Sequence, residues 1–250
     1  MFPIRDENPT LHTSFATFAI VGVNVAVWIF VQGLGFGPAL MQSVWRFGLI
    51  PGELLGVVEP GTVVRVSYTA IARTGPPNWL SILTSMFMHG GWMHLIGNMW
   101  FLLVFGDNVE DAMGPFRFVA FYLLCGTAAA AAQIASGPSS LVPMVGASGA
   151  IGGVMGAYLV LFPRAPVHML VFFGFFITRV IVPAFFMLGY WFLLQLLAGA
   201  VDRGAGGVAF WAHVGGFAAG AALVRLFCNR KRLGVCRGRR QPMAGLYRRV

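Results

Sequence analysis

Apolar residues fall into long runs along the chain, and charged residues lie mainly at the ends of those runs. The hydrocarbon core of a bilayer is about 30 Å thick, so a spanning helix needs roughly 20 apolar residues. The pattern therefore predicts six membrane-spanning helices, near residues 15–34, 92–105, 115–136, 147–162, 180–199 and 207–227. The second and fourth runs are short, which indicates that their outer ends are buried in protein rather than exposed to lipid.

A seventh apolar run, of 14 residues, lies between Arg164 and Arg179. This length fits an interfacial or re-entrant segment better than a spanning helix. With six spans, Arg5, Arg117, Arg164, Arg179 and the C-terminal basic residues all lie on one side, which the positive-inside rule assigns to the cytoplasm. We therefore expect a multi-pass protein of the plasma membrane, namely the bacterial inner membrane, with both termini in the cytoplasm.

This topology divides the chain into three parts. Residues 1–14 form a cytoplasmic N-terminal segment, residues 15–227 form the six-helix domain, and residues 228–250 form a basic cytoplasmic tail. The stretch from about Gly35 to His89 is then a long first outer loop. The expected fold class is an all-α membrane protein built as a six-transmembrane-helix bundle.

Composition agrees with a membrane protein and argues against a nucleic-acid partner. The chain is 58% hydrophobic and 10% charged, with a mean hydropathy of +0.77, well outside the range of soluble globular domains. The net charge is +9, but eight of the 17 Lys and Arg residues lie within the last 21 positions. No basic stripe interleaved with aromatic residues occurs elsewhere in the sequence. The tail is therefore expected to meet membrane lipid, as a topology determinant or a binder of anionic headgroups.

The three cysteines, Cys125, Cys228 and Cys236, form neither a paired extracellular framework nor a metal-ligand spacing. We expect no metal and no cofactor.

Polar residues within the predicted spans are few, and three short motifs stand out among them. The second span begins with His94 and Asn98, the fourth with Ser148, and the sixth with His213. Each motif lies in the first turns of its helix. The three spans run in the same direction, so the motifs are expected to lie at one level of the membrane. At a rise of 1.5 Å per residue, Ser148 and His213 both lie roughly 8 to 9 Å below the outer hydrocarbon boundary. Polar groups at this depth are costly and usually functional.

The residue types at this depth fit nucleophilic catalysis. A serine hydroxyl becomes a nucleophile when a base within hydrogen-bond reach takes its proton, and His213 can supply that base for Ser148. The spans contain no carboxylate to orient the histidine, and Asp202 lies in an outer loop, so a Ser/His dyad is predicted rather than a triad. His94 and Asn98 share one helical face and can donate to the oxyanion of a tetrahedral intermediate, together with the Ser148 backbone N–H.

Small residues accompany the nucleophile and the base. Ser148, Gly152 and Gly156 share one face of the fourth span, and Gly216 and Gly220 follow His213 on the sixth. Such small-xxx-small surfaces bring membrane helices close together. The fourth and sixth spans are therefore predicted to pack directly against each other.

The three motifs resemble those of the rhomboid intramembrane serine proteases. The matching residues are H-x-x-x-N at His94 and Asn98, G-x-S-G from Gly146 to Gly149, and A-H-x-x-G-x-x-x-G from Ala212 to Gly220. The resemblance extends from about Trp79 to Gly220.

This resemblance implies a rhomboid-like six-helix core that cleaves transmembrane protein substrates through an acyl-enzyme. Ser148 and His213 would form the dyad, and His94 and Asn98 the oxyanion site, opening away from the cytoplasm. It also implies a structural role for His89 and a loop-bracing role for Glu110.

The sequence departs from this family at two places. Many members carry a tyrosine four residues after the nucleophile, where its ring stacks on the catalytic histidine, but this chain has Gly152. Another group must therefore hold His213. Family members often carry a Trp-Arg pair in the first outer loop. This chain has Trp45-Arg46 in that loop, but the segment that leads into the second span reads Trp79-Leu80, so the position of the pair departs from the family pattern.

Three other functions compete with this interpretation. A metalloprotease would need an H-E-x-x-H motif or a third ligand beside His89 and His94, and the sequence shows neither. A transporter would need paired charges within the spans, which lack Asp, Glu and Lys. A non-catalytic rhomboid-like protein that binds membrane clients would typically lack the serine or the histidine, and this chain keeps both.

Overall fold

The computed structural model describes residues 2–65, 71–173, 176–202, 207–229 and 232. Within these ranges the fold is mainly helical, with two small sheets. The helices are α1 (Phe15–Phe30), α2 (Gly37–Phe47), α3 (Pro51–Leu54), α4 (Ser81–Thr84), α5 (Trp92–Met113), α6 (Pro115–Ser136), α7 (Ser148–Leu161), α8 (Ala184–Val201) and α9 (Phe210–Phe227). The strands are β1 (Phe2–Asp6), β2 (Val63–Arg65), β3 (Ile71–Arg73), β4 (Pro166–Phe173) and β5 (Phe176–Pro183).

Each of the six predicted spans overlaps one of the longer helices. In the described part of the chain, α6, α8 and α9 are long and apolar enough to cross a membrane, while α1 and α7 are apolar but shorter. The predicted bounds of α6 agree with the structure. By contrast, α5 has 22 residues and continues to Met113, well beyond the predicted end at residue 105. The acidic side chains in these last turns bind the segment before α1 and the start of α1.

The run after Arg164 forms a β-hairpin, so the described fold is mainly helical, as predicted, but it is not all-α. Strands β4 and β5 pair antiparallel, and β1 adds to β4 in a three-stranded antiparallel sheet of order β1-β4-β5. The 14-residue run contains four Phe, two Val, one Ile and one Thr, and aromatic and branched side chains favour extended backbone. Residues 180–183, predicted as the start of the fifth span, belong to β5, and α8 begins at Ala184. Strands β2 and β3 form a second, two-stranded sheet.

The N-terminal strand packs along α5 and α7. The ring of Phe2 lies 5.4 Å from that of Trp100, centroid to centroid, and the Trp100 indole N–H donates to the carbonyl oxygen of Pro3 over 2.7 Å. The Tyr158 hydroxyl of α7 donates to the carboxylate of Asp6. These contacts make residues 2–6 part of the folded body.

Glu110 near the end of α5 binds the first turn of α1. Its carboxylate accepts hydrogen bonds from the backbone N–H groups of Ala16 and Thr17, at 2.9 and 2.7 Å, and from the Thr17 hydroxyl at 2.8 Å. The first N–H groups of a helix have no intrahelical partner, and an acidic group there also complements the helix dipole. Glu110 therefore joins α1 to α5, a more specific role than the loop-bracing role expected.

Helix α7 is the buried centre of the fold, and glycines bring it against α9. A Cβ on Gly216 would lie 1.9 Å from the carbonyl oxygen of Gly149, and one on Gly220 would lie 1.9 Å from that of Gly153. From the other helix, a Cβ on Gly156 would lie 2.1 Å from the Phe217 carbonyl oxygen. The predicted close packing of these two helices is confirmed, and it is backbone to backbone.

The segment between α1 and α5 contains short helices that pack on the ends of the longer ones. Leu49 forms a bridge with Met144, which anchors the end of α2 to the loop before α7. The Trp45-Arg46 pair lies in the last turn of α2, whereas Trp79 and Leu80 are exposed beside α4.

Candidate active site

The N-terminal end of α7 places Ser148 at the edge of a cavity. Ser148 is the first residue of the helix, so its backbone N–H has no partner within the helix. Gly146, just before it, has a φ of +131°, and a Cβ there would lie 2.7 Å from Nε2 of His94. Only glycine readily combines this backbone conformation with so close an approach. Gly146 therefore holds the α7 N-terminus against α5.

His213 reaches Ser148 from the first turn of α9. Its Nε2 lies 2.8 Å from the Ser148 Oγ, and its Nδ1 lies 2.7 Å from Oε1 of Gln195 on α8. An amide oxygen only accepts hydrogen bonds, so Nδ1 carries the proton and Nε2 is left to accept from the serine hydroxyl. This is the hydrogen-bond pattern that a serine nucleophile and its base require.

Two residues of α5 line the same cavity of about 540 Å³ as Ser148 and His213. Nδ1 of His94 accepts a hydrogen bond from the backbone N–H of Gly90 over 3.3 Å, which leaves Nε2–H as a donor. Asn98 is 8% exposed, and its Nδ2 has no hydrogen-bond partner among the described residues. The structure thus brings all four predicted site residues to one cavity. Their catalytic roles stay predictions.

His89 packs behind the cavity and does not line it. Its ring meets that of His94 edge-on, at 5.1 Å between centroids. The side-chain amide of Gln32 accepts a hydrogen bond from the His89 backbone N–H and donates one to the His89 carbonyl oxygen. Burial, and then the neighbouring His94, lower the pKa of His89 to about 3, so its ring is neutral near neutral pH. These contacts agree with the structural role expected.

At Gly152, the position of the family's stacking tyrosine, the backbone of α9 lies close to α7. A Cβ on Gly152 would lie 3.1 Å from the carbonyl oxygen of His213 and 3.8 Å from its Cα. The aromatic neighbour of His213 comes instead from α8, where the Trp191 ring lies 5.8 Å from the imidazole between centroids, tilted by 38°.

Sequence reasoning missed two glutamines of the site. Gln195 binds His213, and Gln133 of α6 accepts a hydrogen bond from the Ala212 backbone N–H over 3.1 Å, at the start of α9. The available signal was a glutamine within an otherwise apolar predicted span. In the described part of the chain, no cluster of three His, Cys, Asp or Glu residues is arranged to hold a metal ion.

Comparison with known proteins connects this geometry with one family. The family model described as Rhomboid domain matches residues 76–230, a range that contains every residue of the cavity discussed above. The mitochondrial Rhomboid protein 1 of Saccharomyces cerevisiae is 27% identical over 165 residues, covering 64% of this chain and 40% of the yeast protein.

Other relatives come from a bacterium and a plant. Rhomboid protease GluP of Bacillus subtilis is 33% identical over 145 residues, covering 58% of this chain and 26% of that protein. The chloroplastic Rhomboid-like protein 11 of Arabidopsis thaliana is 38% identical over 78 residues, covering 31% of this chain and 28% of that protein. The matched regions thus span less than half the length of each of these relatives. Because the family model matches more than half of the chain, the protein belongs to the rhomboid family.

Proposed function

We propose that the protein is a serine endopeptidase that hydrolyses peptide bonds in or near the transmembrane segments of membrane proteins. The observation that carries this proposal is the 2.8 Å hydrogen bond between His213 Nε2 and Ser148 Oγ, within a cavity that His94 and Asn98 also line. The relatives named as rhomboid proteases support the same reaction class.

The first half of the reaction acylates the serine. As the Ser148 Oγ attacks the scissile carbonyl carbon, its proton passes to Nε2 of His213. The carbonyl oxygen becomes an oxyanion, which the Ser148 N–H, the Asn98 amide and Nε2–H of His94 stabilise by hydrogen bonds. The intermediate collapses, the C–N bond breaks, and the imidazolium returns its proton to the leaving amine.

The second half hydrolyses the acyl-enzyme. His213 takes a proton from a water molecule, whose oxygen attacks the ester carbon and forms a second oxyanion at the same place. When this intermediate collapses, the bond to Ser148 breaks, the serine oxygen takes the proton back, and the new carboxyl product leaves. The reaction needs only side chains, backbone groups and water.

The proposed setting is a plasma membrane, with both termini in the cytoplasm and the cavity opening to the outer side. The charge bias of the sequence supports this orientation, since basic residues gather in the tail and at one end of the spans. Proteins whose transmembrane helices unwind near the outer surface would then be the substrates. Some relatives are named mitochondrial or chloroplastic, and we propose the bacterial inner membrane for this chain.

The test compares the wild type with Ser148→Ala in lipid vesicles that contain a labelled transmembrane substrate. We expect Ser148→Ala to lower cleavage by about 10⁴-fold or more, because the nucleophile is lost. A fluorophosphonate probe should label the wild type and leave Ser148→Ala unlabelled. Ser139→Ala, an exposed serine in the loop before α7, is the matched control and should cleave like the wild type.

Equal cleavage by the wild type and Ser148→Ala would contradict the proposal. Binding of the substrate by a folded wild type without any cleavage would instead favour a non-catalytic, client-binding rhomboid-like protein.

A further inference from the structure

The contacts of His213 point to a residue outside the Ser/His pair. An imidazole can serve as base toward Ser148 only if its proton is on Nδ1, because Nε2 must accept. An imidazole in an apolar site has two neutral tautomers of similar energy, and it can also rotate about its side-chain bonds. A group that accepts from Nδ1 removes both freedoms at once, which is the role that a carboxylate plays in a serine triad.

In this chain the acceptor is an amide. Oε1 of Gln195 lies 2.7 Å from Nδ1 of His213, while Ser148 Oγ lies 2.8 Å from Nε2. The three side chains belong to α8, α9 and α7, so the hydrogen-bonded chain connects three helices. Gln195 does not line the cavity, so it touches the reaction only through the histidine.

The same helix supplies a second restraint on the ring. Trp191 precedes Gln195 by four residues, and residues four apart share one face of a helix. Its ring packs against the imidazole at 5.8 Å between centroids. Position 152 carries glycine where many family members have an aromatic residue, and the α9 backbone lies close to it. One face of α8 therefore offers both an acceptor and an aromatic wall.

We propose that Gln195 is the positioning residue of the site: it selects the Nδ1–H tautomer of His213 and fixes the ring toward Ser148, with Trp191 limiting its tilt. The proposal rests on the proposed Ser/His chemistry and adds its third member. Gln195 takes the place that a carboxylate has in a triad, and its amide supplies the same kind of acceptor oxygen.

The first test separates hydrogen bonding from packing. Gln195→Met keeps the size of the side chain but removes the acceptor, whereas Gln195→Glu keeps an acceptor oxygen at the same reach. We expect Gln195→Met to lower kcat roughly 10- to 100-fold, as for one lost hydrogen bond at a reacting group. KM should stay within about twofold, because Gln195 makes no contact with the cavity.

We expect Gln195→Glu to retain kcat within about threefold of the wild type, since its carboxylate also accepts from Nδ1–H. Leu197→Ala, on the exposed face of α8, is the matched control for a change in this helix and should leave kcat unchanged. If Gln195 served only for packing, Gln195→Met would keep kcat near that of the wild type and Gln195→Glu would lower it.

The second test does not depend on activity. In a Ser148→Ala background, ¹⁵N NMR of labelled histidine reports the tautomer, and His213→Asn identifies the signal among the five histidines. We expect His213 to be the Nδ1–H tautomer, and Gln195→Met to convert it to a mixture or to Nε2–H. An unchanged tautomer would overturn the proposal even if kcat fell. A failed cleavage assay with the expected tautomer change would count against the proposed function and leave the role of Gln195 supported.

Discussion

The Asn98 amide is a buried donor with no hydrogen-bond partner in the part of the chain that the structure describes. Its Nδ2 is inaccessible and makes no hydrogen bond with any described residue, although the side chain lines the cavity beside Ser148. An unsatisfied buried donor costs about 1–3 kcal/mol of folding free energy. A donor kept at such a cost beside a nucleophile is expected to bind a charge that exists only during the reaction.

We therefore predict that Asn98→Ala lowers kcat about 10²- to 10³-fold, the usual effect of removing one oxyanion donor. KM should change little, and thermal stability should stay equal or rise. Asn108 on the same helix is the matched control, because its Nδ2 donates to the Asn8 carbonyl oxygen over 2.8 Å. Asn108→Ala should lower stability by roughly 1 to 3 kcal/mol and leave kcat of the folded enzyme unchanged. Wild-type kcat in Asn98→Ala would rule out an oxyanion role.

Individual side chains of the site were predictable when their position along a span carried the signal. Ser148, His213, His94 and Asn98 begin spans of the same direction, so their shared cavity follows from helix geometry. Gln195 lies near the end of an antiparallel span, and nothing in an apolar helix indicates which neighbour one polar residue faces. The Cβ contacts of Gly152 likewise depend on how closely α7 and α9 pack.

The contact between α7 and α9 depends on glycines that face backbone atoms. The Cβ of any residue at position 220 would lie 1.9 Å from the carbonyl oxygen of Gly153. Backbone cannot move aside as a flexible side chain can, so the helices would have to separate. Since Ser148 and His213 lie on these two helices, separation would also lengthen their hydrogen bond.

We predict that Gly220→Ala lowers the free energy of unfolding by about 1–3 kcal/mol or more and reduces cleavage together with fluorophosphonate labelling. The measurement is thermal unfolding in detergent, with labelling of the folded fraction. The matched control is Gly189→Ala on α8, where a Cβ would meet no atom within 4 Å. If both variants unfold at the same temperature, the glycine at position 220 does not determine how closely α7 and α9 approach.

The hairpin after α7 shows where the hydrophobic pattern was ambiguous. A 14-residue apolar run is too short for a spanning helix, and periodicity alone does not separate a buried strand from a buried helix. Its two strands pair with each other, and β4 also pairs with β1, more than 160 residues earlier in the chain. A partner that distant leaves no local signal, whereas the end of α6 is marked locally by Gly137 and Pro138.

The described residues that precede the family match fold onto the matched domain. The match begins at residue 76, yet β1 and α1 bind α5 through Trp100 and Glu110. Run length and charge predict six spans and their orientation, and both stay predictions. How the N-terminal region is attached could not be predicted, because it depends on a buried carboxylate reaching a helix start 93 residues away.

We predict that this attachment contributes to the stability of the whole molecule and not to the chemistry. Glu110→Gln replaces a carboxylate that accepts three hydrogen bonds with an amide whose NH₂ group would face backbone donors. The free energy of unfolding should fall by about 1.5–3 kcal/mol, the range for a hydrogen bond to a charged group. Because Glu110 lies 12 residues beyond Asn98, or roughly 18 Å along α5, kcat of the folded enzyme should not change.

Glu7→Gln is the control for that variant. Glu7 also binds across the fold, to His168 over 2.7 Å, but its side chain is 48% exposed, and exposed ion pairs contribute only about 0–1 kcal/mol. Chemical unfolding followed by tryptophan fluorescence, with fluorophosphonate labelling of the folded fraction, measures both quantities. An equal loss of stability in Glu7→Gln and Glu110→Gln would show that the buried carboxylate holds α1 no more strongly than a surface contact does. A selective loss of labelling in stable Glu110→Gln would instead connect the end of α5 directly with the site.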